Sequence, residues 1–151
     1  MNTTIERTAL NNLIHNEPYA RKVLPFIKRD YFSDRTERIV FEEIQKFVDK
    51  YNALPNQNSL EVELDSRKDL SEEDYKRVLS VLKSLKSDDD VNFEWLVETT
   101  EKFCKDKAVY NAIVEGIGII EGKDRDRDAG AIPSILTDAL AVGFDNHIGH
   151  D

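Results

Sequence analysis

The chain has 151 residues, 40% of them hydrophobic, with seven Phe, five Tyr and one Trp, enough to bury one core without disulfides or metals. A formal net charge of −9 excludes an autonomous nucleic-acid-binding module, which concentrates positive charge to release counterions from phosphates. One cysteine, Cys104, excludes an internal disulfide and suits a reducing compartment.

The charge is unevenly placed. Residues 1–50 carry nine Lys/Arg against eight Asp/Glu, whereas residues 61–101 carry six against thirteen. The acidic middle reads either as a solvated helical face or as a docking surface for a basic partner. The N-terminus lacks a basic segment followed by an apolar run, and no stretch reaches membrane-spanning length, so a cytoplasmic protein is expected.

In chain order, the apolar periodicity predicts helices throughout and no β alternation. Thr3 or Thr4 caps a first helix bearing Ile5, Ala9, Leu10, Leu13 and Ile14. "NEPYARKVLPFI" opens a second, with Pro18 in its first turn and Pro25 closing it. "RDYFSDRTERIVFEEIQKFVDKY" predicts a core helix with a stripe of Val40, Ile44, Phe47, Val48 and Tyr51, anchored by Tyr31 and Phe32. A turn and a short helix from about Ser59 follow. In "DLSEEDYKRVLSVLKSL", Ser71 stands three residues before Asp74, close to a capping box, and Tyr75, Val78, Leu79, Leu82 and Leu85 face inward.

The longest periodic run extends from about Asn92 to Gly122 and carries Phe93, Leu96, Val97, Phe103, Cys104 and Val109. About thirty residues at ~1.5 Å each span roughly 45 Å, more than a head of this size needs, so the far half is expected to project. "GKDRDRDAG" is a polar turn, and "PSILTDALAVGF" is a last helix beginning at Pro133. The two helices read as an antiparallel αα-hairpin. A hairpin cannot bury both of its apolar faces alone. Either it folds back on the head as ordinary core, or it pairs with another chain through Val109, Ile113, Gly116, Ile117, Ile120, Ile135, Leu136, Leu140 and Phe144. Both readings stand on periodicity alone. The expected organisation is all-α: a compact multi-helix head over 1–90, the long helix and hairpin over 91–145, and a linker from 146 to 151.

"VEGIGIIEGKDRDRD" superficially suggests a phosphate-cradling loop. Such a loop reads G-x-x-x-x-G-K-[ST], but Ile117 stands where its first glycine is needed and Asp124 where its hydroxyl is needed. The glycines read instead as packing residues, with Gly116 and Gly118 allowing a close helix approach and Gly122-Lys123 closing the helix. No catalytic constellation emerges. His147 and His150 are terminal, with no third metal ligand, and His15 lies at a helix end. Cys104 reads as a buried structural thiol. Glu42-Glu43 and Glu72-Glu73 are adjacent on helices and read as surface charge. No metal or cofactor site is expected in this stretch.

Several segments carry a family resemblance: "ERTALNNLI", "VLPFIKRDYFSDRTERIVFEEI", "FEWLVETTEKF" and "GAIPSILTDALAVGFDNHIGHD". Together they resemble the N-terminal domain of DnaB-family replicative helicases. The closing segment, with its Gly130-Ala131-Ile132-Pro133 opening and Gly149-His150-Asp151 end, looks most like the replicative helicases of T-even-type bacteriophages. The resemblance implies a helical head and hairpin that pair into a collar above a hexameric motor ring. That ring moves 5′ to 3′ on one DNA strand in the host cytoplasm, and its collar contacts primase, with a helicase loader as a further partner. ATP and magnesium are then expected in a RecA-like domain beyond Asp151, and single-stranded DNA is expected to be held by the ring, not by this region. Two other readings are a primase's helicase-binding domain, which normally closes its chain rather than starting at Met1, and a free-standing helical adaptor.

Overall fold

A computed structural model of the chain describes residues 3–144. Among these residues the regular structure is seven α-helices and two short 3-10 turns, with no strand. The fold is all-α, as the periodicity predicts. His147, His150 and the segment expected as a linker lie outside the described residues. The chain divides between Val97 and Glu98 into two compact units, each taken separately below.

The first unit is built on α1 (Thr3–His15), α2 (Glu17–Val23), α3 (Arg35–Tyr51), α4 (Gln57–Asp65) and α5 (Glu72–Ser84), and it includes the first turn of α6 (Phe93–Ile120). Side-chain caps set most helix starts by satisfying backbone N–H groups that have no partner within the helix. Asn16 accepts from Tyr19 N, Asp34 from Thr36 N and Ser71 from Asp74 N. Asn56 and Ser59 form a reciprocal capping box at α4. Asn52 ends α3 in the left-handed region, at φ 51°, with its N–H on the Val48 carbonyl.

Helix α3 is the hub, packing on α1, α4, α5 and the 3-10 turn at Arg29–Tyr31. Leu10, Leu13, Tyr19, Phe32, Phe41, Ile44, Leu60, Leu64 and Leu82 are fully buried around it. Each such aliphatic or Phe side chain contributes about 1.5–3 kcal/mol. Phe32 stacks on Phe41 at 5.1 Å between ring centroids, and Arg38 donates to the Phe32 carbonyl, fixing the approach to α3. The Gln57 amide donates to the Leu82 and Leu85 carbonyls, closing the exposed end of α5 from the start of α4.

Two expectations for α3 need correction. Its burial is concentrated in the first half, over Glu37–Ile44, so Tyr51 is half exposed, its ring tilted against Phe47 at 4.7 Å with Lys50 over it at 5.3 Å. Glu43 is not surface charge. It follows Val40 by three residues on the buried face and lines a small apolar cavity with Leu60, Leu64 and Leu82. Its carboxylate is reached by Arg67 at 2.9 Å and Lys46 at 3.3 Å, which replaces the lost hydration.

Candidate self-association surface

The second unit holds α6 from Glu98 onward, a polar loop, a 3-10 turn at Ala129–Ala131 and α7 (Ile132–Leu140). Along α6, two stripes run at helical spacing. Cys104, Ala108, Ala112, Gly116 and Ile119 are buried, whereas Tyr110, Ile113, Val114, Ile117 and Ile120 are between 50% and 70% exposed. Small residues dominate the covered stripe and large apolar ones the open stripe, the reverse of a normal surface helix. Between Ala108 and Ile120 the single charged residue is Glu115, and Arg127 neutralises it at 2.5 Å.

The loop returning from α6 is tied down by its own groups. Gly122 takes φ +79°, the left-handed conformation that an added Cβ disfavours. Lys123 N–H reaches the Gly118 carbonyl at 2.9 Å and Gly122 N–H the Ile119 carbonyl at 3.0 Å, the paired bonds of a Schellman closure. Asp124 accepts from Asp126 N–H at 2.9 Å and from Arg127 at 2.7 Å, and these bonds hold its carboxyl below the usual range. Asp128 accepts from Gly130 N–H. These N–H groups are all committed to protein acceptors, so the loop offers no phosphate cradle at those donors.

Helix α7 runs back antiparallel to α6. Near its start, Ile132 lies against Gly116, where an added Cβ would sit 3.7 Å from the Ile132 side chain. Past its end, Phe144 N–H donates to Glu101 at 2.9 Å. Gly143 is the close approach that periodicity did not reveal, with an added Cβ 3.3 Å from both Glu101 and Lys105. Gly118, expected to serve that purpose, would meet nothing within 4 Å.

The nine residues expected at a pairing surface therefore separate. Ile113, Ile117 and Ile120 lie on the open stripe, and Leu140 on α7 is 73% exposed. Val109, Ile135 and Leu136 are half-buried. Gly116 and Phe144 are buried within the described fold, the first beneath Ile132, so neither side presents atoms to a partner. Tyr110 and Val114, seven and three residues before Ile117, complete the exposed stripe. Cys104 is fully buried, and burial, helped by the Glu101 charge, pushes its thiol up to about 12. Among the described residues no group of three His, Cys, Asp or Glu is placed to hold a metal ion. Among the described residues no helix is long and apolar enough to cross a membrane.

The chain resembles a phage replicative helicase. It is 32% identical over 150 residues to a "DnaB-like replicative helicase" of Enterobacteria phage T4, an alignment covering 94% of this chain. The chain spans 31% of that helicase's length. No protein-family profile matches the chain. The alignment takes in residues of both structural units.

Proposed function

We propose that this chain is the N-terminal, self-associating region of a phage replicative DNA helicase, pairing through its hairpin into the collar of a hexameric ring. The observation that carries this reading is the open stripe of Tyr110, Ile113, Val114, Ile117 and Ile120 on α6; Leu140 on α7 is exposed as well. Contiguous apolar surface of this kind marks interaction sites in soluble proteins. The similarity to a replicative helicase across 94% of the chain supports this reading.

Energetics set the strength of the pairing. Covering each half-exposed side chain is worth roughly half of the ~1.5–3 kcal/mol for full burial, contributed by both copies. Association costs about 4–15 kcal/mol in lost freedom, so the isolated pairing is weak. Motor domains joined in a ring raise the effective concentration of the hairpins and make the same contact persistent. In that ring, ATP and magnesium belong to the motor domain, which moves 5′ to 3′ along single-stranded DNA in the host cytoplasm. The collar's own partners are a second copy, primase and a helicase loader.

Sedimentation across concentration tests the pairing. The unmodified chain is expected to shift from monomer toward dimer, and Ile113→Asp with Ile117→Asp to abolish the shift while helical circular dichroism is retained. Both residues are half exposed, so the substitutions leave the buried stripe intact. A chain that stays monomeric at the highest soluble concentration overturns the proposal.

A further inference from the structure

Two carboxyl groups are buried where α1 meets α3. Glu6 is 1% exposed and Glu37 2%, a depth that acids almost never reach without partners. Glu6, on α1, accepts from Ser33 N–H at 3.3 Å. Glu37 stands third in α3, the position whose side chain turns back toward the cap, and Ser33 immediately precedes the cap, Asp34. The two acids thus converge on one turn, within hydrogen-bonding reach of each other.

Charge does not balance there if both are ionised. Among the described residues one ion pair reaches the two acids, from Arg7 Nε to Glu37 Oε2 at 2.9 Å, and Arg7 also donates to the Ser84 hydroxyl on α5. Neighbouring cations are committed elsewhere, Arg38 to the carbonyls of Phe32 and Ser33 and Arg35 to Asp74 on α5. Arg7 and Glu6 are the charged groups that act on Glu37. Glu37 Oε1 is left buried with no donor. A buried acceptor without a donor is costly, and like charges this close resist ionising together. Burial raises the Glu37 carboxyl above its ordinary value against the pull of Arg7, and Glu6 raises it further.

We propose that Glu6 and Glu37 hold one proton between them in the folded protein at neutral pH, with Glu37 Oε1 as donor and a Glu6 carboxylate oxygen as acceptor. The proton is taken from solvent on folding. It gives the orphaned oxygen a partner, and it leaves one negative charge on the pair to match the positive charge of Arg7. The contact of α1 with α3 is then a proton-dependent latch, whose contribution is lost as pH rises through the pair's raised value. The latch lies in the first unit and uses none of the pairing stripe, so it is independent of hairpin association.

Infrared spectroscopy of the 151-residue chain with isotope-labelled glutamate carboxyls tests it. At pH 7 the unmodified chain is expected to show the carbonyl stretch of a protonated carboxyl, and Glu37→Gln to lose it. Glu6→Gln separates sharing from burial alone. Its amide can donate to Glu37 Oε1 in place of the proton, so the band is expected to vanish there too. Calorimetric unfolding in buffers of different ionisation heat counts the proton, and the unmodified chain is expected to release about one more than Glu37→Gln at pH 7. Circular dichroism checks that both variants, which keep the shape of the acid they replace, are folded. Absence of the band from the unmodified chain overturns the proposal. A band that persists in folded Glu6→Gln also overturns it, because the proton then belongs to Glu37 alone. Equal proton release by the unmodified chain and Glu37→Gln does the same.

Discussion

Glu37 is the residue where the fold carries an avoidable cost. It is 2% exposed on α3, its Oε2 accepts from Arg7 at 2.9 Å, and its Oε1 is buried without a hydrogen-bond partner. Glu6, also buried, stands beside it and accepts from Ser33 N–H at 3.3 Å. Burial, the largest influence, raises the Glu37 carboxyl above its ordinary 4.5. The Arg7 bond and charge offset this in part, and Glu6 adds to the rise. The sign for stability follows directly. An acid whose folded value is raised binds its proton more tightly in the folded state, so its contribution falls as pH rises from about 4.5 through the raised value. Glu37→Gln removes that titration and keeps an oxygen for Arg7. Its melting temperature relative to the unmodified chain is expected to improve on going from pH 4.5 to 7, by an amount on the order of a few degrees. A relative loss over the same range in thermal melts would mean that the Arg7 pairing outweighs burial.

At the scale of elements, Gly118 and Gly122 make a matched pair on one helix. Gly118 is inside α6 with nothing within 4 Å of an added Cβ, so Gly118→Ala is expected to stabilise by about 0.5–1 kcal/mol. Gly122 holds the Schellman closure at φ +79°, so Gly122→Ala is expected to cost about 1–2 kcal/mol. Urea titrations measure both, and equal effects of one sign would contradict the assignment of their roles. The helix stop at Gly122 was legible because left-handed closure has a chemical signature in Gly followed by a polar residue. The cap at Ser71 was legible for the same reason, since its oxygen answers a local need, whereas the cap at Asn16 emerges only from the structure. Helix phase was less legible. Tyr51 and Phe93 fit an apolar period but are half exposed or nearly so, because coverage depends on which neighbours reach them. Glu43 looked like surface charge because Arg67, twenty-four residues later, supplies its counter-ion. On α6 the covered stripe consists largely of alanine, glycine and cysteine, while the open one is isoleucine, valine and tyrosine. Hydrophobicity alone therefore does not separate the open residues from Gly116 and Phe144, which are buried.

At the scale of the whole molecule, charge decides how this region treats nucleic acid. Tight, sequence-independent binding of single-stranded DNA needs a positive groove that tracks phosphates and aromatic faces on which bases stack. Thirty Asp and Glu oppose twenty-one Lys and Arg here. Many of those cations are committed to carboxylates within the fold, among them Arg7, Arg29, Arg35, Arg67 and Arg127. Tyr51 and Tyr110 each have one lysine over the ring, Lys50 and Lys107, but Phe93 and Trp95 sit in an acidic setting. Trp95 and Phe93 follow Asp88, Asp89 and Asp90 and flank Glu94, and no Lys or Arg occurs from Ser87 to Glu101. Releasing counterions from DNA gains nothing when the approaching surface repels the phosphates. Anisotropy titration of labelled oligothymidylate is expected to show no saturable binding near 0.15 M salt, with any signal at low salt vanishing as salt is raised. Trp95, the sole tryptophan, gives an independent readout, and its emission is expected to stay unchanged on adding DNA. Micromolar binding with a steep inverse dependence on salt would place phosphate contacts on this chain and assign it a direct grip on DNA. Without such binding, the proposed role of this region rests on assembly through the stripe on α6.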